Sequence, residues 1–215
     1  MFGESKSHAN SFRALIMENT FSINIHNTNL HVQYWKPQIV KSVIVLVHGM
    51  GEHKLRFEDS VIKYLVKSGY AVVAFDLYGH GSSAGKRGYC PSYNALLDAV
   101  EKVIEKAETL FPDIPILLYG HSLGGNIVIN YTLKRTHKLK GIIASSPFLR
   151  MAFQPPKWKV LLGQLMLNVW PSITLPSEID ASAISRNEKE VKRYSEDPLI
   201  HGKISPMYLF PVVKA

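Results

Sequence analysis

Four short apolar runs without alternation constrain this chain more than any other feature: Val43-Ile44-Val45-Leu46-Val47, Ala71-Val72-Val73-Ala74-Phe75, Ile116-Leu117-Leu118-Tyr119 and Ile142-Ile143-Ala144. A strand with one wet face alternates apolar and polar residues, whereas a strand buried on both faces does not. Helical periods fill the gaps. Phe57, Val61, Tyr64 and Leu65 share a face, as do Leu96, Val100, Val103, Ile104 and Ala107, and then Ile127, Val128 and Tyr131. Strand and helix in alternation predict an α/β fold, a mostly parallel sheet with right-handed crossovers and helices on both faces. Upstream, Phe21 to Trp35 alternates in two runs around Asn27-Thr28-Asn29, the pattern of a hairpin with one wet face.

The composition changes near Pro147, after which Pro155, Pro156, Pro171 and Pro176 surround one apolar segment, Trp158 to Trp170. That segment is too short to span a membrane, so it is either a buried helix or a lid touching an apolar ligand or interface. Ile184 to Tyr194 reads as a second, more polar helix. The expected organisation is a polar lead-in at 1–19, an α/β core at 20–149, a helical cap insertion at 150–200, and the start of a return to the core at 201–215. The cap is expected over the carboxyl edge of the sheet, where open α/β sheets bind ligands.

Hydrophobic residues make up 46% of the 215 residues, enough for a packed core, and the single cysteine, Cys90, excludes a disulfide framework or a Cys-rich zinc site. One cysteine fits a reducing compartment. The first 19 residues hold no apolar run longer than Ala14-Leu15-Ile16-Met17, so the expectation is a cytoplasmic protein, with peripheral membrane association open. The formal charge of +8 favours anionic partners. Its densest cluster, Lys134, Arg135, Lys138 and Lys140, sits at an expected helix end, where the dipole alone favours cations, so no nucleic-acid partner is expected.

The chemistry centres on Gly120-His121-Ser122-Leu123-Gly124, a G-x-S-x-G match between a buried strand and a helical pattern. Strand, elbow and helix in that order force a serine into a strained, exposed position, making Ser122 the candidate nucleophile. The competing reading is a serine N-cap, worth about 1 kcal/mol to the helix. A second signal, His48-Gly49-Met50-Gly51-Glu52-His53, directly follows Val43–Val47. A glycine-bracketed turn there can aim the Met50 N–H at the serine's reaction centre and, with the Leu123 N–H, complete an oxyanion hole. His48, Glu52 and His53 lack cysteine partners and helical H-E-x-x-H spacing, so neither metal nor cofactor is expected.

His48 to His53 with Arg56-Phe57 resembles the signature of monoglyceride lipases and lysophospholipases of the α/β-hydrolase fold, often labelled serine aminopeptidase-like. Asp76-Leu77-Tyr78-Gly79-His80-Gly81-Ser82-Ser83, with Gly85, Arg87 and Gly88, resembles that family's second motif, and Gly120–Gly125 its elbow. Ser145-Ser146-Pro147, and the stretch from Ile184 to Leu199, look like its strand-six exit and the end of its cap. The resemblance implies a serine hydrolase that cleaves lipid-like acyl esters through an acyl-enzyme on Ser122. It makes Asp76 and His80 structural, alongside His48, Gly49, Gly51, Gly79, Gly120 and Gly124, and it turns His121 away from Ser122 as a packing residue. Trp158, Leu161, Leu162, Leu165 and Trp170 are the expected acyl-chain contacts, with the cap as the point of any membrane contact.

One departure stands out. This fold orders its triad Ser, then Asp or Glu, then His. After Ser122 the sequence offers only Asp180 and Asp197, and only His137 and His201. The family takes its acid and base from loops after the last two strands, so the expectation is a truncated chain lacking those strands, the triad acid and the triad base. An impaired hydrolase follows. The alternatives are a non-catalytic lipid-binding pseudoenzyme or gene fragment, or a base supplied by His201 or His53. The strand around Ile142 would then be an apolar edge.

Overall fold

The computed structural model describes residues 17–150, 156–177 and 179–214. The chain opens with β1 (Met17–Ile25) and β2 (Thr28–Lys36), an antiparallel hairpin pairing Phe21 with Val32. The apolar runs become β3 (Ser42–Val47), β4 (Tyr70–Phe75), β5 (Ile116–His121) and β6 (Gly141–Ser145). Together they form a six-stranded sheet in the order β1-β2-β4-β3-β5-β6, in which β3 runs parallel to β4 and β5, and β5 parallel to β6. Helices α1 (Lys63–Lys67), α2 (Tyr93–Leu110) and α3 (Leu123–Lys134) make the crossovers. The cap carries α4 (Lys157–Val169), a short ribbon of β7 (Leu175–Pro176) with β8 (Lys203–Ile204), and α5 (Glu188–Glu196). Helix α6 (Pro206–Lys214) follows.

The non-alternating runs are explained by two cores, one on each face of the sheet. Val43, Val45, Val47, Ala71, Val73 and Phe75 face α2 and α3, packing on Val100, Val103, Ile127 and Val128. Leu46, Val72 and Ala74 face the other way, onto Trp35, Phe57, Ile62 and Val66. Each fully buried Val, Leu or Phe contributes about 1.5–3 kcal/mol. Ser92 starts α2 by accepting the Ala95 N–H at 3.0 Å, an N-cap bond that satisfies one orphan donor.

Several expectations are corrected. Residues 17–19, read as lead-in, belong to β1, while residues 1–16 lie outside the described residues, as do 151–155 of the cap. The hairpin turns at His26 and Asn27, whose φ values of 49° and 59° suit a twist-matched two-residue turn, so Thr28 and Asn29 join β2. The Phe57–Leu65 helix is instead a 3-10 turn (Lys54–Phe57), a π turn (Glu58–Ile62) and then α1. The wide π turn shifts the phase, burying Ile62 and Val66 and leaving Tyr64 69% exposed. Strand β6 is not buried on both faces but is the apolar edge expected at Ile142: among the described residues it pairs with β5 alone, and Ile142 and Ile143 are each 41% exposed. The polar cap helix starts at Glu188, where the Asn187 side chain accepts the Lys189 N–H, and not at Ile184.

Candidate active site

Ser122 sits between β5 and α3 with φ 53° and ψ −114°, a left-handed conformation that costs a non-glycine residue about 1–3 kcal/mol. The backbone around it holds that geometry. The Ser122 N–H donates to Ser145 O at 3.0 Å, and its carbonyl accepts from Asn126 N–H at 3.1 Å and Phe148 N–H at 2.9 Å. Ser122 occupies the N-cap position of α3, yet its side chain makes no cap bond. The N-cap reading therefore fails, and the half-buried hydroxyl stands at the positive end of the helix. The flanking glycines permit this packing. A Cβ on Gly120 would lie 2.2 Å from Gly124 O, and one on Gly124 would lie 2.1 Å from Val47 O.

The turn after β3 lies against the elbow: a Cβ on Gly49 would come within 3.2 Å of Ser122 Cβ. Glu52 Oε1 accepts the Gly49 N–H at 2.7 Å, and His48 Nδ1 donates to Gly49 O at 2.7 Å. A trans peptide points its N–H opposite its C=O, so the second bond directs the Met50 N–H away from His48. Neither that amide nor the Leu123 amide has a partner among the described residues. An amide at a helix N-terminus, with a second in the turn that packs against the elbow, is the kind of donor pair that can stabilise negative charge on an oxygen placed between them.

The loop after β4 braces the turn. Asp76 accepts from the Lys54 N–H at 2.9 Å, from Lys54 Nζ at 2.7 Å and from the Ser82 N–H at 2.9 Å. Both members of this ion pair are 1% exposed. Burial works to raise the Asp76 pKa, but the Lys54 ammonium, followed by His48 and the hydrogen bonds, holds it below the usual carboxylate range. His80 Nε2 accepts the Gly51 N–H at 3.0 Å. The close approach of Gly79 to the Lys86 carbonyl, 2.1 Å from where a Cβ would stand, closes the loop at φ 65°. His121 Nδ1 lies 3.3 Å from Ser145 Oγ and its ring packs on Phe57, turned from Ser122.

No histidine among the described residues is hydrogen-bonded to Ser122 Oγ. His53 Nε2 pairs with Asp197 Oδ2 at 2.8 Å. His201 Nε2 donates to Gly79 O at 3.1 Å, and its Nδ1 accepts the Lys203 N–H at 3.3 Å. Exposed His137 stacks on Tyr131, and Asp180 spends its carboxylate on Ser182. His53 and His201, the two alternative bases, thus bond other partners in this arrangement, and neither is hydrogen-bonded to Ser122 Oγ. The cap reaches the core through its exit. His201 N–H donates to Gly51 O at 2.9 Å, Arg193 lies 3.3 Å from Asp59, and Arg56 stacks on the Tyr194 ring at 5.0 Å. A cavity of about 400 Å³ opens there, lined by His53, Leu55, Arg56, Asp59, Arg193 and Asp197.

Helix α4 is the opposite of a core helix. Trp158, Leu161, Leu162, Leu165 and Trp170 are all exposed, Leu161 by 70%, and α4 touches α6 where Gly163 meets the Phe210 ring. Sequence reasoning overlooked Lys54 and gave Glu52 no role beyond a rejected metal set. An acid three residues after Gly49 in a glycine turn was the available signal for a backbone acceptor; the Lys54–Asp76 pair, spanning 22 positions, left none.

The family model described as Serine aminopeptidase, S33 matches residues 38–215. The chain is 34% identical over 181 residues to mouse monoglyceride lipase, covering 83% of this chain and 59% of that protein. It therefore spans less than two thirds of the mouse protein's length. It is 32% identical over 181 residues to the phospholipase YtpA of Bacillus subtilis, covering 84% of this chain and 69% of that one. The crystal structure of Paleococcus ferrophilus monoacylglycerol lipase superposes with a TM-score of 0.74 at 33% identity, over 93% of this chain and 70% of its own. Among the described residues no helix is long and apolar enough to cross a membrane.

Proposed function

The chain belongs to the serine aminopeptidase family of α/β-hydrolases, and from that membership we propose that it is an acyl-ester hydrolase of the monoacylglycerol lipase and lysophospholipase type. Ser122 Oγ attacks the ester carbonyl, forming the O–C bond and a tetrahedral oxyanion held by the Met50 and Leu123 amides. Collapse breaks the bond to the glycerol-side oxygen and leaves an acyl-enzyme, which water then hydrolyses. The single observation that supports this most is the conformation of Ser122, at φ 53° in the N-cap position with its side chain making no cap bond. The apolar face of α4 receives the acyl chain and meets the lipid surface, where the net charge of +8 favours anionic headgroups.

Among the described residues no imidazole is bonded to Ser122 Oγ, and in their arrangement the serine proton passes to solvent. An oxyanion hole and binding alone leave roughly 10³–10⁴-fold over water. The same observation favours a second reading, a non-catalytic acyl-binding domain. Hydrolysis of a short p-nitrophenyl ester separates the two. Turnover above background that is lost in Ser122→Ala supports the hydrolase, and turnover unchanged by that substitution overturns it.

A further inference from the structure

The turn after β3 is held one peptide unit at a time, each by a different group. Glu52 Oε1 takes the Gly49 N–H, and His48 Nδ1 holds the Gly49 carbonyl. His80 Nε2 takes the Gly51 N–H, and the His201 N–H holds the Gly51 carbonyl. The Met50 amide lies inside this series. Its own carbonyl shares a peptide plane with the Gly51 N–H that His80 accepts, so two imidazoles fix the planes on either side of residue 50.

Those bonds fix protonation states, because a backbone N–H only donates and a carbonyl only accepts. His48 Nε2 accepts the Leu77 N–H at 3.0 Å, so its proton is on Nδ1. His80 accepts through Nε2, so its proton is also on Nδ1, donated to Tyr78 O at 2.8 Å. His201 accepts the Lys203 N–H through Nδ1 and donates to Gly79 O through Nε2. The three rings pack in sequence, His48 against His80 at 5.3 Å and His80 against His201 at 4.6 Å, with their planes tilted by 51° and 48°. A second proton on any of them sets an N–H against an N–H.

We propose that His48 and His80 are positioning residues that hold the Met50 donor only as neutral imidazoles, and that His201 couples the cap's return segment to this clamp. The proposal rests on the reading of Ser122 and Met50 given above. Its surroundings keep the rings neutral. His48 is fully buried; that burial lowers its pKa against the raising effect of Asp76 and Glu52, and His53 adds to the lowering. Around His80 stand His48, His201 and Arg87, with the Tyr208 ring of α6 at 5.4 Å. Burial first, then His48 and His201, push it well below the ordinary histidine range. His201 is lowered by burial and then by Arg87, with His48 and Lys203 adding to it. An imidazole whose folded pKa lies below its unfolded value of about 6.5 gives its full stability above that pH. The contribution is lost as the pH falls from there toward the folded values.

The test combines long-range ¹⁵N–¹H correlation of the imidazoles at pH 7.5 and 5.5 with the rate at which a fluorophosphonate modifies Ser122. The expected result is Nδ1–H for His48 and His80 and Nε2–H for His201. His80→Ala is expected to slow modification roughly 10²-fold, the effect of a donor displaced by about 1 Å. His80→Gln, whose amide oxygen can accept the Gly51 N–H, recovers most of that loss and flattens the pH dependence below about 6.5. His80 carrying its proton on Nε2 at pH 7.5, or His80→Ala reacting as fast as wild type, overturns the proposal. Wild-type protein left unmodified at Ser122 sinks the nucleophile reading alone, and the tautomers then decide the clamp.

Discussion

The turns around Ser122 and the cap helix α4 use the same chain in opposite ways. In the first, backbone meets backbone so closely that a Cβ on Gly124 would stand 2.1 Å from Val47 O, and side chains from distant loops hold the peptide planes. In the second, five large apolar side chains are exposed, and Gly163 lies against the Phe210 ring of α6. Rigid backbone suits a site that must present donors without rearranging. An exposed apolar face suits something that binds what the folded core does not supply. Stability and function are separated here: the elbow owes its shape to buried polar bonds, while the large apolar side chains of α4 stay exposed.

Substitutions can break that separation, and the largest effect is expected at Lys54. Lys54→Met leaves the Asp76 carboxylate buried without its partner, and should destabilise the protein by about 3–5 kcal/mol in urea unfolding at pH 7. A loss under about 1 kcal/mol would mean the pair does not brace the turn. Next comes Gly124→Ala, expected to destabilise by about 1–3 kcal/mol through overpacking. Gly141→Ala, whose Cβ would meet nothing closer than Leu117 Cδ2 at 3.8 Å, should stay within about 0.5 kcal/mol. Equal effects at the two glycines would erase the contrast. The smallest stability change is expected in the cap, where serine at Trp158, Leu161 and Leu165 should each shift stability by at most about 0.5 kcal/mol. The same triple variant should lose co-sedimentation with phosphatidylglycerol vesicles, and retained binding would remove α4 from the proposed lipid contact.

How much of this was legible in the sequence depends on the range of the interaction. β3 and β4 were readable because burial on both faces leaves a local mark, an apolar run without alternation; β5 carries the same mark although its Leu117 and Tyr119 are only half-buried. The same mark at Ile142 does not reveal whether a strand has a neighbour on its far side, and there the expected apolar edge, not burial on both faces, is what β6 presents among the described residues. The helix over Phe57 to Leu65 failed on a local detail, the π turn that moves burial to Ile62 and Val66. Ser122 and the Met50 turn were marked by glycines. The groups that hold them were not: Lys54 meets Asp76, and His201 meets Gly51 and Gly79, across separations that no periodicity records. The apolar segment Trp158–Trp170 left a buried helix and a lid equally open, and the exposure of α4 removes the buried alternative.

The most direct measurement is a crystal structure of the protein with Ser122 modified by an alkyl fluorophosphonate. The phosphoryl oxygen is expected within about 2.7–3.1 Å of both the Met50 and the Leu123 amide nitrogens. An adduct whose oxygen points to solvent, or contacts only one of those amides, would contradict the account.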